Sequence, residues 1–295
     1  MRRRFVAPVL IVLLLASAIG LQALRERGGE LPVKADSVLY VRSAAALQRM
    51  ALSYDAILAD VYWIRAVQLY GDTRLGRMVD QDFTLLYPLL ELTTALDPHF
   101  DVAYQFGALF LAEKAPGGPG RPDLAVQLLQ RGIAAQPDDW RLYQALGFVH
   151  YWSYRDYVTA ADWFARASRV SGAPVWMEPL AAVTLAEGGN RKASRVLWGQ
   201  ILKTAADGWF KREATRRLKQ LDAMDQIELL QKVVDTFVAK NGRAPRDWSE
   251  MARAGYVRGA VVDPNGAPYR LDGWMVTLEP KSRLLPLPWE GQKPL

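Results

Sequence analysis

Residues 139–152 read DWRLYQALGFVHYW and carry five aromatic rings, with a glycine at position 147 inside a helical pattern. A glycine in a helix interior costs about 1 kcal/mol relative to alanine. Beside so many bulky rings, that cost makes sense if another helix comes close to Gly147. Such a packing unit is then expected to recur along the chain.

It does recur. The small residues Gly107, Gly147 and Ala181 follow Phe106, Leu146 and Leu180. A second small residue comes later in each unit, Ala125, Ala160 and Ala193, with Leu129, Phe164 and Leu197 four positions further on. Ala125 and Ala160 are 35 residues apart, and Ala160 and Ala193 are 33 apart. Pro98 and Pro137 close units, and Pro174 lies near the next boundary.

This pattern resembles the tetratricopeptide repeat, a helix–turn–helix unit of about 34 residues with the signature W-x2-L-G-x2-Y…A-x3-F…P. The best unit reads Tyr143, Leu146, Gly147 and His150, then Ala160, Phe164 and Ala167. The resemblance covers about residues 85–205. It implies a mainly α fold, a solenoid of helical hairpins, in which Gly147 lets the first helix of its unit meet the second at Ala160. The first helices of such repeats line a concave groove. In this register the groove positions are Asp101, Tyr104, Arg141, Gln144, Phe148, Tyr151, Trp152 and Glu178. Aromatic residues and arginine are the types that anchor interfaces. Aromatic stripes at helical spacing are also what a core looks like, so Phe148, Tyr151 and Trp152 read equally as groove or core. Repeats that clamp acidic chaperone tails carry lysine and asparagine on this face. Tyr104, Ala108, Gln144, Phe148, Glu178 and Ala182 stand there instead, which argues against that ligand.

The N-terminus carries three arginines followed by an uncharged segment, residues 5–24. About 20 predominantly apolar residues just span a bilayer core. By the positive-inside rule the basic start stays in the cytoplasm, so the rest of the chain is expected outside it, at the inner (cytoplasmic) membrane. The alternative is a cleaved signal peptide, with Ala16-Ser17-Ala18 as an A-x-A site. Residues 1–24 are thus anchor or signal peptide, and residues 25–42 a linker with glycines and a proline.

Residues 43–84 turn helical, with apolar positions 54, 57, 58, 61, 64 and 69, and form an N-terminal cap or a divergent repeat. Asp55, Asp60 and Arg65 fall in this run. Asp60 and Arg65 are not an i,i+4 pair, so they read either as ion pairs to other helices or as partner contacts. Residues 206–240 give two helical segments, 209–224 and 226–240, expected to cap the open end of the stack. Lys211, Arg212, Arg216, Arg217 and Lys219 make that cap basic. Residues 241–295 change character. Turn signals at Asn241-Gly242, Asp263-Pro264 and Asn265-Gly266 precede a hairpin cue, in which residues 269–271 and 275–278 flank Asp272-Gly273. The run of a helix, NGRAP, a short helix ending in Gly255-Tyr256 and DPNGAPY resembles the tails of bacterial pilin-like and pseudopilin proteins. The chain lacks their N-terminal G-F-T-L-x-E processing motif. A small α+β appendix packed by Trp248, Tyr256 and Tyr269 is expected.

The chain contains no cysteine, which excludes disulfides, thiolate metal sites and covalent haem attachment. Its two histidines, His99 and His150, exclude a histidine-rich metal site. No G-x-x-x-x-G-K-[ST] or G-x-G-x-x-G occurs, so no phosphate cradle is signalled. Asp138 and Asp139 open a helix, where carboxylates cap free N–H groups. The net charge of +6 is spread in blocks without a nucleic-acid reading motif. These features point to a non-enzymatic scaffold or assembly factor binding envelope proteins, with no catalytic residue, metal, cofactor, small-molecule substrate or nucleic acid. Secretion, pilus or envelope assembly is the setting that the two resemblances imply. The alternative is an envelope enzyme built on scattered carboxylates such as Asp55 and Asp60.

Overall fold

A computed structural model describes residues 14–21, 43–76 and 82–290. The chain is mainly helical, with one small antiparallel sheet of two strands. Residues 14–21 form helix α1. The remainder of the expected membrane segment 5–24, and the linker 25–42, lie outside the described residues. Among the described residues no helix is long and apolar enough to cross a membrane. The chain divides into two compact units, Met1–Leu128 and Leu129–Leu295. The division falls inside a helix of the region 85–205.

In the first unit, α2 (Ala44–Met50), α3 (Asp55–Arg74), α4 (Leu86–Leu96) and α5 (Asp101–Ala112) lead into α6 (Pro122–Ala135), which crosses the division. Ser43 caps α2 through its hydroxyl. α4 is apolar on nearly every side and is the centre of the unit, with Leu86, Leu89, Leu90, Leu92 and Leu96 buried. Its Thr93 and Thr94 return their hydroxyls to the carbonyls of Leu89 and Leu90, at 2.8 and 2.9 Å, so no buried donor is left unpaired there. α3 and α5 each pack on α4. Between them, Trp63 and Tyr70 stack on Phe110, with ring centroids 6.1 and 4.1 Å apart.

The second unit contains α7 (Trp140–Val149), a π-helical turn (His150–Tyr154), α8 (Tyr157–Ala167), α9 (Met177–Glu187), α10 (Arg191–Thr204) and α11 (Gly208–Asn241). The helix starts follow the sequence closely. Asp139, Asp156, Asn190 and Asp207 each accept a backbone N–H of the first turn at 2.6–3.1 Å. Each helix packs on the next in sequence. α7 and α8 run antiparallel: Tyr143 meets Trp163, Phe148 meets Phe164 and Tyr151 meets Tyr157. At Gly147 the Phe164 ring, and not Ala160, is the nearest group of α8 to the position a side chain would take.

α11 is one helix of 34 residues where two segments were expected. Met224-Asp225-Gln226 holds neither glycine nor proline, and Asp225 is gripped by Arg191 at 2.9 Å and Arg195 at 2.7 Å. The helix ends at Gly242, which takes the left-handed conformation that favours glycine (φ 66°). A short α12 (Trp248–Arg253) and the hairpin β1 (Tyr269–Asp272) and β2 (Met275–Leu278) follow. Asp272 pairs with Met275, so the loop is Gly273-Trp274 rather than Asp272-Gly273. Gly273 at φ 62° supplies the positive angle such a two-residue loop requires. The appendix buries Met251, Tyr269, Val276, Leu278 and Leu284 against Ala223, Val234 and Phe237 of α11.

Candidate functional site

The end of α7 carries a run of aromatic residues, of which Trp152 and Tyr154 are exposed. Over His150–Tyr154 the backbone adds a residue per turn, and Arg155 closes it in the left-handed region at φ 52°. Turns of this kind occur at helix C-termini, where a left-handed residue ends the helix. Here the turn directs consecutive rings to different surroundings. Tyr151 turns inward and donates its hydroxyl to Glu187 Oε2 at 2.6 Å. Burial, reinforced by Glu187, pushes its phenol well above the ordinary value, so it stays a protonated donor. Tyr151 also meets Tyr157 edge-on at 5.3 Å. Trp152 turns outward and is 67% exposed, with Tyr151 edge-on behind it at 4.8 Å.

Phe148 sits one turn earlier and is half-buried, edge-on to the fully buried Phe164 at 5.1 Å. The two readings of this stripe therefore divide: Phe148 and Tyr151 pack against the core, and Trp152 faces solvent. His150 is half-buried, and its Nδ1 has no hydrogen-bond partner among the described residues. Burial holds its pKa below the ordinary 6.5, against the pull of Asp156.

At the other end of α7, Arg141 is exposed. Its guanidinium lies 4.9 Å from the Trp140 ring and 3.4 Å from Asp139. Trp140 meets Trp176 edge-on at 6.3 Å. Gln144 is half-buried on α7. Glu178 is half-buried in the first turn of α9, where a carboxylate favours the helix dipole.

In the first unit, Asp101 opens α5 with a buried Oδ1 that has no hydrogen-bond partner among the described residues. Tyr104 does not line a groove: it is 2% exposed and belongs to the core. The outward positions of α5 are Val102, Phe106 and Leu109. The sequence carries them at i, i+4 and i+7, a legible helical stripe, but the repeat register set the outward face at Asp101 and Tyr104 instead.

Asp55 and Asp60 do not form a shared acidic site. Five residues apart on α3, they point about 140° from each other around its axis. Asp60 is exposed, and Asp55 keeps a buried Oδ1. Arg65 lies 5.5 Å from the Tyr62 ring. Among the described residues no group of three or more histidine and carboxylate side chains is arranged to hold a metal ion. The basic cap on α11 is partly neutralised, since Arg216 and Arg217 pair with Glu213 at 3.3 and 2.7 Å. A shallow depression of about 480 Å³, lined by Val233, Thr236, Lys240, Ala254, Gly255 and Tyr256, lies beside α12. No family model, curated protein or solved structure matches the chain.

Proposed function

We propose that the chain is a scaffold or assembly factor, a tetratricopeptide-like solenoid that presents aromatic and aliphatic anchors to protein partners in the bacterial cell envelope. Residues 5–24 hold it at the inner membrane with its N-terminus in the cytoplasm and its bulk outside. One observation carries the reading: Trp152 stands 67% exposed on a support that is itself fixed, Tyr151 pinned by Glu187 and packed on Tyr157. A large ring backed by a fixed neighbour has less freedom to lose on binding, and tryptophan is among the types enriched at interface hot spots. In-order packing of α7 to α11 supports the solenoid part of the reading.

The test is crosslinking in intact cells, solubilisation, capture and mass spectrometry of wild type beside Trp152→Ala. Phe148 is left unchanged, because its loss opens the core at Phe164. The expected result is one or two envelope proteins lost from the variant at unchanged abundance and unfolding midpoint. An identical partner set from both chains contradicts the proposal.

A further inference from the structure

Helix α3 is apolar on two opposite sides. Ala59, Tyr62, Ala66, Leu69 and Tyr70 turn into the first unit. On the far side, Ile57, Val61 and Ile64 are 58, 37 and 53% exposed. A helix face directed to water ordinarily carries polar residues. The spacing of this stripe is informative. Ile57, Val61, Ile64, Gln68, Gly71 and Leu75 follow alternating steps of four and three, the seam of a two-stranded coiled coil. One step back lies Tyr54, the exposed residue that precedes the first turn of α3. Gln68 falls at an a position, where a single polar residue typically fixes register and number of strands.

The flanking charges select the partner. With Val61 at a, Asp60 falls at g and Arg65 at e. Within one helix these two residues face apart. Between two parallel copies, g of one chain lies beside e of the next heptad of the other, which brings Asp60 to Arg65 of the partner subunit, twice by symmetry. The antiparallel register of longest overlap, Ile57 against Leu75, sets Arg65 against its own copy and turns Asp60 toward Arg74 of the partner subunit; within each chain Glu113 already holds Arg74 at 2.9 Å, so the parallel pairing makes better use of both charges. We infer that α3 is a self-association seam, on which two copies of this chain pair in parallel through Ile57, Val61 and Ile64 with reciprocal Asp60–Arg65 contacts. This goes beyond the scaffold reading. It agrees with the proposed anchor, because parallel helices bring both N-terminal segments to the same side.

The absence of cysteine makes the test clean, since each substitution introduces one thiol. Ile64→Cys, at d, lies on the dyad, and Ala56→Cys is an exposed control on the same helix but off the seam. Full-length chains in native membranes are oxidised and run without reductant, and carbonate extraction of the same sample reports the anchor separately. The expected result is several-fold more disulfide-linked dimer from Ile64→Cys than from Ala56→Cys. Asp60→Arg reduces that dimer, and adding Arg65→Asp restores it. Equal yields at both positions overturn the inference. So does crosslinking of Ile57→Cys to Leu75→Cys in mixed chains, which means an antiparallel pair. So does an Ile64→Cys thiol that stays monomeric and is shielded from maleimide, which means that another segment covers the stripe. None of these results bears on partner capture at Trp152, so the two readings fail independently.

Discussion

A methyl group at position 147 collides with Cε1 and Cδ1 of Phe164, a ring that is fully buried and cannot retreat. Gly147→Ala is therefore expected to lose about 1–3 kcal/mol through overpacking, despite alanine's better helix propensity. Gly199 in α10 has nothing within 4 Å of the same added carbon. Gly199→Ala is expected to gain up to about 1 kcal/mol. Denaturant midpoints of the two variants should move in opposite directions. Equal shifts would remove the helix contact as the reason for Gly147.

His150 gives a prediction in pH at the same scale. Burial lowers its folded pKa below the ordinary 6.5. As pH falls through about 6.5, the unfolded chain takes up a proton that the folded chain does not, so stability declines on the acid side and is flat above. Denaturation midpoints from about pH 7.5 to 5.5 should fall in wild type and flatten in His150→Phe. An unchanged slope in the variant would assign the effect to other groups.

At the scale of elements, the docking of the C-terminal appendix rests on amides that pattern reading does not reveal. Gln220 on α11 is fully buried and donates to the carbonyls of Leu284 and Pro286 at 2.6 and 2.7 Å. Gln231, three turns on, accepts the Val276 N–H at 2.9 Å and donates to the Trp274 carbonyl at 2.8 Å. Its carboxamide thus completes the open edge of β2 as a neighbouring strand would. Gln220→Ala leaves two carbonyls without their donor and is expected to cost about 1–3 kcal/mol. Limited proteolysis should then cut after Leu278 at lower enzyme concentration than in wild type. Undiminished protection would show that the apolar contacts hold the tail alone.

The hairpin itself was legible, because β-rich residues flanking a glycine turn signal act locally. The glutamines were not legible, because their partners lie 43 to 66 residues away and any solvent-facing glutamine looks the same. The π-turn was illegible for a related reason: one extra residue in a helical turn leaves no mark in an aromatic-rich run. That α11 runs unbroken through Asp225 is not legible locally either. Long-range pairing with Arg191 and Arg195 belongs to the fold and not to the local sequence.

At the scale of the whole molecule, the repeat pattern anticipated helical pairs, and the helix start at Asp139 was legible from its capping carboxylate. The pattern placed Tyr104 on the groove, where the structure buries it and exposes Val102, Phe106 and Leu109 of the same helix. Which side of a helix meets its neighbours depends on the supporting helices. In the second unit, Arg191 ties three segments together: its Nη1 donates to Asp225 and Glu228 of α11 at 2.9 and 3.1 Å, and its Nε and Nη2 donate as a bidentate pair to Glu290 of the tail. Arg191→Met is expected to loosen the tail while leaving the helices formed, seen as faster amide exchange near Glu290 than near Gly147. Uniform acceleration would mean that the second unit opens as a whole.

The most direct test of the scaffold account is a photo-crosslinking amino acid placed at position 152 in living cells, with position 196 as the control. Val196 is 61% exposed in the same unit and lies outside the aromatic cluster. The account predicts a discrete adduct to an envelope protein from position 152 and none from position 196. Equal labelling from both positions, or none from either, would contradict it.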